Sequence, residues 1–281
     1  MPTYFDGNLV YIHIPKCAGK SVNHSLGVYQ KKLCPQLGTG ALSFRMHESL
    51  YEIQNIFQHQ WNEEKWNKAK IISTIRHPIE RALSWWKYKK GIEVDNQKKL
   101  LEWNTPYLFN VKTSNLPLVT PQDHVNYNGK INLCTHRENK AEFERFQKLS
   151  FDDFTKKMTT WKASDCPAPD CLYHGLSPQV DWLKDVNGKI PLNKLILFTV
   201  DDLEQMKDFL PNMPPLSVKN ADFEDKECKT NVEEHLTTES LMILRRLYAE
   251  DFKIYNILKN RQPGHYKSLD VQKLSVLSSA G

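Results

Sequence analysis

Two short stretches put cations, small residues and hydroxyls where a multiply charged anion can be gripped. In Pro15-Lys16-Cys17-Ala18-Gly19-Lys20-Ser21, two lysines bracket a turn of small residues that follows an apolar run at 9–14 and leads into a helical pattern reaching Tyr29. Strand, tight loop and helix in that order aim backbone N–H groups at an anion on the helix N-terminus, and Lys and Ser side chains complete the grip. In Arg76-His77-Pro78-Ile79-Glu80-Arg81-Ala82-Leu83-Ser84, an Arg ends a second β run at 70–75 and a Ser follows on the next helical pattern. A planar guanidinium suits a phosphate, and the hydroxyl adds a neutral donor.

The first stretch invites comparison with the phosphate loop of nucleotide kinases and hydrolases. That loop needs a Gly where Ile14 stands, and a partner strand ending in a magnesium-holding Asp where the second run here ends in Arg76. A shorter loop with an extra Lys at its start suits a terminal phosphosulfate. Lys16 can lie against the oxygen bridging phosphorus and sulfur, while the amides of Gly19 to Val22 and the Ser21 hydroxyl hold the 5′-phosphate, without a metal. The bland alternative is a solvated Lys on an ordinary strand-to-helix turn.

Together, Tyr11-Ile-His-Ile-Pro-Lys-Cys-Ala-Gly-Lys-Ser21 and Ile75-Arg-His-Pro-Ile-Glu-Arg-Ala-Leu-Ser-Trp-Trp86 resemble the two cofactor-binding motifs of the sulfotransferases. The likeness is greatest to the branch of heparan sulfate 2-O- and 6-O-enzymes and their bacterial relatives. The resemblance implies 3′-phosphoadenosine-5′-phosphosulfate as donor and 3′-phosphoadenosine-5′-phosphate as product. By position it assigns Lys16, Ala18, Gly19, Lys20, Ser21 and Val22 to the 5′-phosphosulfate, and Arg76 and Ser84 to the 3′-phosphate. Lys219 and Asn220 fall where relatives carry a basic-Asn pair near that phosphate. Residues 177–183 look like the family's Pro-Gln segment near the nucleotide, 198–203 like its late strand and turn, and 248–255 like its closing helix. Lys20 stands where Gly or Thr is commoner, and Trp85-Trp86 replaces a single aromatic; neither removes a donor.

Transfer to an alcohol needs a base within hydrogen-bond reach of the acceptor oxygen, and His is the natural choice near neutral pH. His47 is expected to fill that role. Arg45-Met-His-Glu-Ser49 opens a helical pattern between the two motifs, where related 6-O-sulfotransferases carry a His taken as the base. His24 and Glu48 are its rivals. His13, inside the first β run, reads as a core or lining residue, and His77 as filling the strand-end turn.

Placing these groups calls for an α/β fold: a single P-loop-like domain with a central parallel sheet flanked by helices, ligand sites lying at the carboxyl ends of the strands. Helical patterns are read at 46–57, 79–89, 151–161 behind a Ser150/Asp153 capping box, 178–184 and 238–258. A further strand is read at 194–200, with Asp201 and Glu204 capping the helix behind it. The domain is expected over 1–262, with an insertion at 91–149 that serves as an acceptor lid and a flexible tail at 263–281.

The remaining composition narrows partners and setting. Lys and Arg exceed Asp and Glu by 38 to 33, a net charge of +5 without any dense stripe of like charge, which disfavours nucleic acid as the partner. No apolar run approaches the roughly 20 residues a membrane span needs, so no membrane partner is expected. Six scattered cysteines suit a reducing, cytoplasmic setting. Cys166, Cys171 and His174 lack an obvious fourth ligand for zinc. The expected activity is in-line sulfuryl transfer to a hydroxyl or amine of a small-molecule or carbohydrate acceptor, with natural product, glycan and peptide tyrosine all open. The alternatives are a P-loop nucleotide kinase, or an inactive nucleotide- or glycan-binding protein. The intact set Lys16, Ser21, Arg76 and Ser84 argues against decay.

Overall fold

The computed structural model describes residues 3–4, 8–33, 49–54, 63–90, 148–158, 177–191, 193–210, 213–214, 216 and 236–261. His47, Glu48, Lys219, Asn220, nearly all of the 91–149 insertion and the 263–281 tail lie outside them. In chain order the elements are strands β1 (Thr3–Tyr4) and β2 (Leu9–Ile12), helices α1 (Gly19–Leu33) and α2 (Glu63–Lys68), strand β3 (Lys70–Ile75), helices α3 (Pro78–Lys90), α4 (Phe151–Met158) and α5 (Gln179–Trp182), strand β4 (Leu195–Thr199), a 3-10 turn (Val200–Gln205), and helices α6 (Met206–Phe209), α7 (Thr238–Leu247) and α8 (Ala249–Lys259). Residues 50–54 are also helical.

The strands form one sheet in the order β1-β2-β3-β4. The three longer strands are parallel, and the two-residue β1 runs antiparallel to β2 at the edge. Successive side chains alternate between faces. Val10, Ile12, Ile71, Ile75, Leu195 and Leu197 pack on one face against Ile53, Trp66, Val180, Trp182, Ile254 and Leu258. Leu9, Tyr11, Ile72 and Phe198 pack on the other against Val22, Leu26, Tyr29 and Met206. Because both faces are covered, these strands read as continuous apolar runs, and the expected α/β architecture stands. Each fully buried Ile or Leu contributes roughly 1.5–3 kcal/mol.

The chain forms two compact units. The first comprises Met1–Pro78, Pro178–Lys229 and Tyr248–Gly281, and contains the sheet. The second comprises Ile79–Ser177 and Thr230–Leu247. In the second unit the predicted capping box is present: the Asp153 N–H donates to Ser150 Oγ at 3.0 Å, and that hydroxyl donates to Asp153 Oδ2 at 2.6 Å. Phe151, Phe154 and Met158 are buried, with Trp86 tilted against Phe151 at 5.6 Å. The Thr237 N–H and hydroxyl donate to Asp152 Oδ1 at 3.0 and 2.7 Å, tying the start of α7 to α4. Lys156, Ser240 and Thr237 together hold the Asp152 carboxyl well below the usual carboxylate range. Arg81 is wholly buried and donates from Nη1 to Ser177 O at 2.9 Å.

Three sequence expectations change. The helix read over 238–258 is two helices, interrupted at Tyr248, whose φ of −107° and ψ of 26° leave the helical range. Asp201 and Glu204 do not cap the segment after β4: Thr199 stands at the cap and donates its hydroxyl to Asp202 Oδ2 at 2.7 Å rather than capping a backbone N–H, and the Asp201 carboxylate accepts from Tyr255 Oη at 2.7 Å and Lys259 Nζ at 3.1 Å. Helix α2 was not expected; Trp66 and Ala69 bury one side of that segment in the core. No helix among the described residues is long and apolar enough to cross a membrane.

Candidate anion site at the strand ends

β2 ends at Ile12, and the chain turns through 15–18 before α1 begins at Gly19. Lys16 and Ala18 sit at φ 65° and 59°, the left-handed region that non-glycine residues rarely occupy. Such strain persists only where the surroundings over-determine it. Here Thr74 on β3 donates its hydroxyl hydrogen to Cys17 O at 2.5 Å, so the 2.7 Å contact between Tyr11 and Thr74 has Tyr11 as donor. Burial pushes the Tyr11 phenol well above its ordinary range, so it keeps that proton. The carbonyl between the two strained residues is thereby pinned from the sheet. A backbone turned this way brings successive N–H groups around a concavity suited to an anion.

The start of α1 supplies further donors, with one economy. The Ser21 and Val22 N–H groups already donate to Ala18 O at 3.0 and 3.2 Å, so the helix end offers chiefly the Gly19 and Lys20 amides. Gly19 is glycine for a steric reason. A Cβ there would lie 1.7 Å from His13 Cδ2 and 1.9 Å from Nε2, so the imidazole packs directly on the loop backbone. His13 is buried, and Asn23 Nδ2 donates to its Nδ1 at 3.2 Å. Tyr4 Oη in turn donates to Asn23 Oδ1 at 3.0 Å. This matches the reading of His13 as a lining residue.

Arg76 follows β3 directly, and its main chain is held by Gln179 at the start of α5. The Arg76 N–H donates to Gln179 Oε1 at 2.9 Å, and Gln179 Nε2 donates to Arg76 O at 2.9 Å. The thiol of Cys17 donates to the same Oε1 at 3.1 Å. His77 is packed edge-on against Phe252 and Tyr255, so it fills the strand-end turn as expected.

Lys16 feels the charge of Arg76, the first residue of the second motif. Burial, followed by the positive charges of Arg76 and Lys20, lowers the Lys16 ammonium from 10.5 to about 8. Arg76 also acts on Asp201 at the end of β4. Burial raises that carboxyl, but Tyr255, Lys259 and Arg76 outweigh it and hold it below its ordinary value. The ends of three parallel strands thus contribute Lys16 with Lys20, Arg76 and Asp201, at the edge of the sheet where open α/β folds take their ligands. A lysine held in a buried position beside two further cations favours an anion as the occupant.

Of the residues singled out by sequence, Lys16, Ala18, Gly19, Lys20, Ser21, Val22 and Arg76 belong to the first unit and gather around this loop. Ser84 lies part-buried on α3 in the second unit. His47, Lys219 and Asn220 lie outside the described residues. Sequence reasoning gave no roles to Thr74, Gln179 or Asp251. Gln179 was read only as part of the segment 177–183, and Asp251 carried a signal of its own, a carboxylate on the stripe Asp251, Ile254, Tyr255, Leu258 that α8 buries. Among the described residues no three His, Cys, Asp or Glu side chains are grouped to hold a metal ion.

Compared with known families, residues 5–257 match the model described as the sulfotransferase family. No curated protein and no solved structure matches the chain.

Proposed function

Because the chain belongs to the sulfotransferase family, whose match spans most of its length, we propose that it moves a sulfuryl group from 3′-phosphoadenosine-5′-phosphosulfate to a hydroxyl, or an amine, of a small-molecule or carbohydrate acceptor. The observation that carries the choice of donor is the cluster of Lys16, Lys20 and Arg76 at the strand ends, where burial and then the neighbouring cations bring Lys16 down to about 8. The donor supplies an activated sulfuryl group and departs as a bisphosphate. The chain's own groups suit both of its anionic ends. Lys16 and the amides of Gly19 and Lys20 hold the 5′ side, with the Ser21 hydroxyl beside them. Arg76 takes the 3′-phosphate, and Ser84, Lys219 and Asn220 are assigned to the same phosphate by their sequence positions alone. His47 receives the acceptor's proton, an assignment supported by its place between the motifs. The likeness of these motifs to the heparan sulfate 2-O/6-O branch supports a place beside that branch. The scattered cysteines, with Cys17 a buried thiol, support a cytoplasmic setting.

Protonation gives the test. An anion beside Lys16 favours the charged amine, so its pKa rises on binding, and binding near pH 8 takes up protons from the buffer. Affinity for 3′-phosphoadenosine-5′-phosphate is expected to fall as the pH rises through about 8 and upward, because the free protein then loses the Lys16 proton. Calorimetric titration at pH 8 in buffers of different ionisation enthalpy should give a buffer-dependent heat for wild type. Lys16→Arg, which stays charged, should give none. A buffer-independent heat in wild type, together with unchanged affinity in Lys16→Ala, would remove Lys16 from the anion site.

A further inference from the structure

Gln179 and Asp251 are each 1% exposed, and a buried amide and a buried carboxylate are costly unless every polar atom finds a partner. Here the partners have a direction. Asp251 Oδ2 and Oδ1 accept the N–H groups of Gln179 and Val180 at 2.8 and 2.9 Å, fixing the first turn of α5. Gln179 Nε2 also lies 3.4 Å from Asp251 Oδ2. The Gln179 amide then faces outward from that anchor and engages both the N–H and the C=O of Arg76. The parallel pairing of β3 with β4 ends at Ile75 with Thr199, so the Arg76 main chain lies one residue past the ladder. The Gln179 side chain satisfies both main-chain groups of this first residue beyond the ladder, at the position where the main chain must set the departure angle of the guanidinium.

We infer that Gln179 is a positioning residue that aims Arg76, and that Asp251 locks Gln179 in register. This rests on the reading of Arg76 as the group that takes the donor's 3′-phosphate. Gln179 also touches the phosphosulfate loop, but only through the thiol of Cys17, a weak donor, so its principal effect falls on the 3′ side.

Two ligands separate positioning from a general structural role: 3′-phosphoadenosine-5′-phosphate, and adenosine 5′-monophosphate, which lacks the 3′-phosphate. Gln179→Met keeps the approximate volume and removes both polar ends. It is expected to weaken the bisphosphate about tenfold and the monophosphate little, so that preference for the bisphosphate shrinks by the same factor. In an Arg76→Ala background the same substitution should add almost nothing. Gln179→Glu retains an acceptor for the Arg76 N–H but sets an oxygen against Arg76 O. It should shift preference in the same direction, and it serves where the Met variant fails to fold. Equal weakening of both nucleotides, or an unchanged preference in a folded variant, would overturn the inference. A wild type that does not prefer the bisphosphate would instead sink the reading of Arg76, and this inference with it, which distinguishes the two failures.

Discussion

Lys16→Ala is expected to lower turnover by ~10²–10³-fold while weakening 3′-phosphoadenosine-5′-phosphate by about tenfold or less. The asymmetry follows from where charge develops. When the sulfuryl group leaves, the phosphate oxygen it departs from gains charge, and a cation at that oxygen interacts more strongly in the transition state than in the ground state. Lys16 is positioned by backbone strain at φ 65°, held by the Tyr11–Thr74–Cys17 relay, and partly withdrawn from water, where a charge acts most strongly. Stability should move the other way. The folded pKa is depressed, so charged Lys16 opposes folding below about pH 8, and this penalty is relieved as the pH rises from about 8 towards the unfolded value of 10.5. Near neutral pH the Ala variant should therefore melt no lower than wild type. Steady-state rates, equilibrium titration and thermal melts check the three parts. Equal losses in turnover and binding would make Lys16 a ground-state anchor only.

His47→Ala is the second large effect: a fall in turnover of ~10²–10⁴-fold with nucleotide affinity nearly unchanged. A base must be neutral to accept the acceptor's proton, so activity should rise with pH as His47 gives up its proton. At sub-saturating donor it should fall again as Lys16 of the free protein loses its proton near 8, a limb that moves upward once the donor is bound. The variant should lose the acidic limb of this bell and keep the basic one, a separation that misfolding does not produce. Unaltered turnover would take His47 out of the mechanism and move the search to Glu48 and to His24, which is exposed on α1.

Much of the positioning frame was legible because it is local. Two strand–loop–helix passages, the Ser150 capping box and the buried run at 195–199 announce themselves through periodicity and turn chemistry within a few residues. What stayed hidden depends on partners distant in sequence. Nothing in Lys16 or Ala18 signals a left-handed backbone, since that region usually selects Gly or Asn; the pin that enforces it comes from Thr74. Asp201 looked like a cap because a carboxylate just after a strand often is one. Tyr255 and Lys259, on a helix much later in the chain, claim it instead. The break at Tyr248 left no trace because the buried stripe at Ser240, Leu244, Tyr248, Asp251, Tyr255 and Leu258 runs through it at unbroken helical spacing. Gln179 was noted only as part of a Pro-Gln segment, and its grip on Arg76 spans 103 positions of sequence.

The donor is the central claim, and titration calorimetry on wild type and Arg76→Ala, with 3′-phosphoadenosine-5′-phosphate and separately with ATP and magnesium, tests it most directly. The account predicts tight binding of the bisphosphate to wild type without added metal, weakened about a hundredfold in Arg76→Ala, since a bidentate charge-assisted contact is lost. Binding of ATP with magnesium but not of the bisphosphate would contradict it and point to phosphoryl rather than sulfuryl transfer.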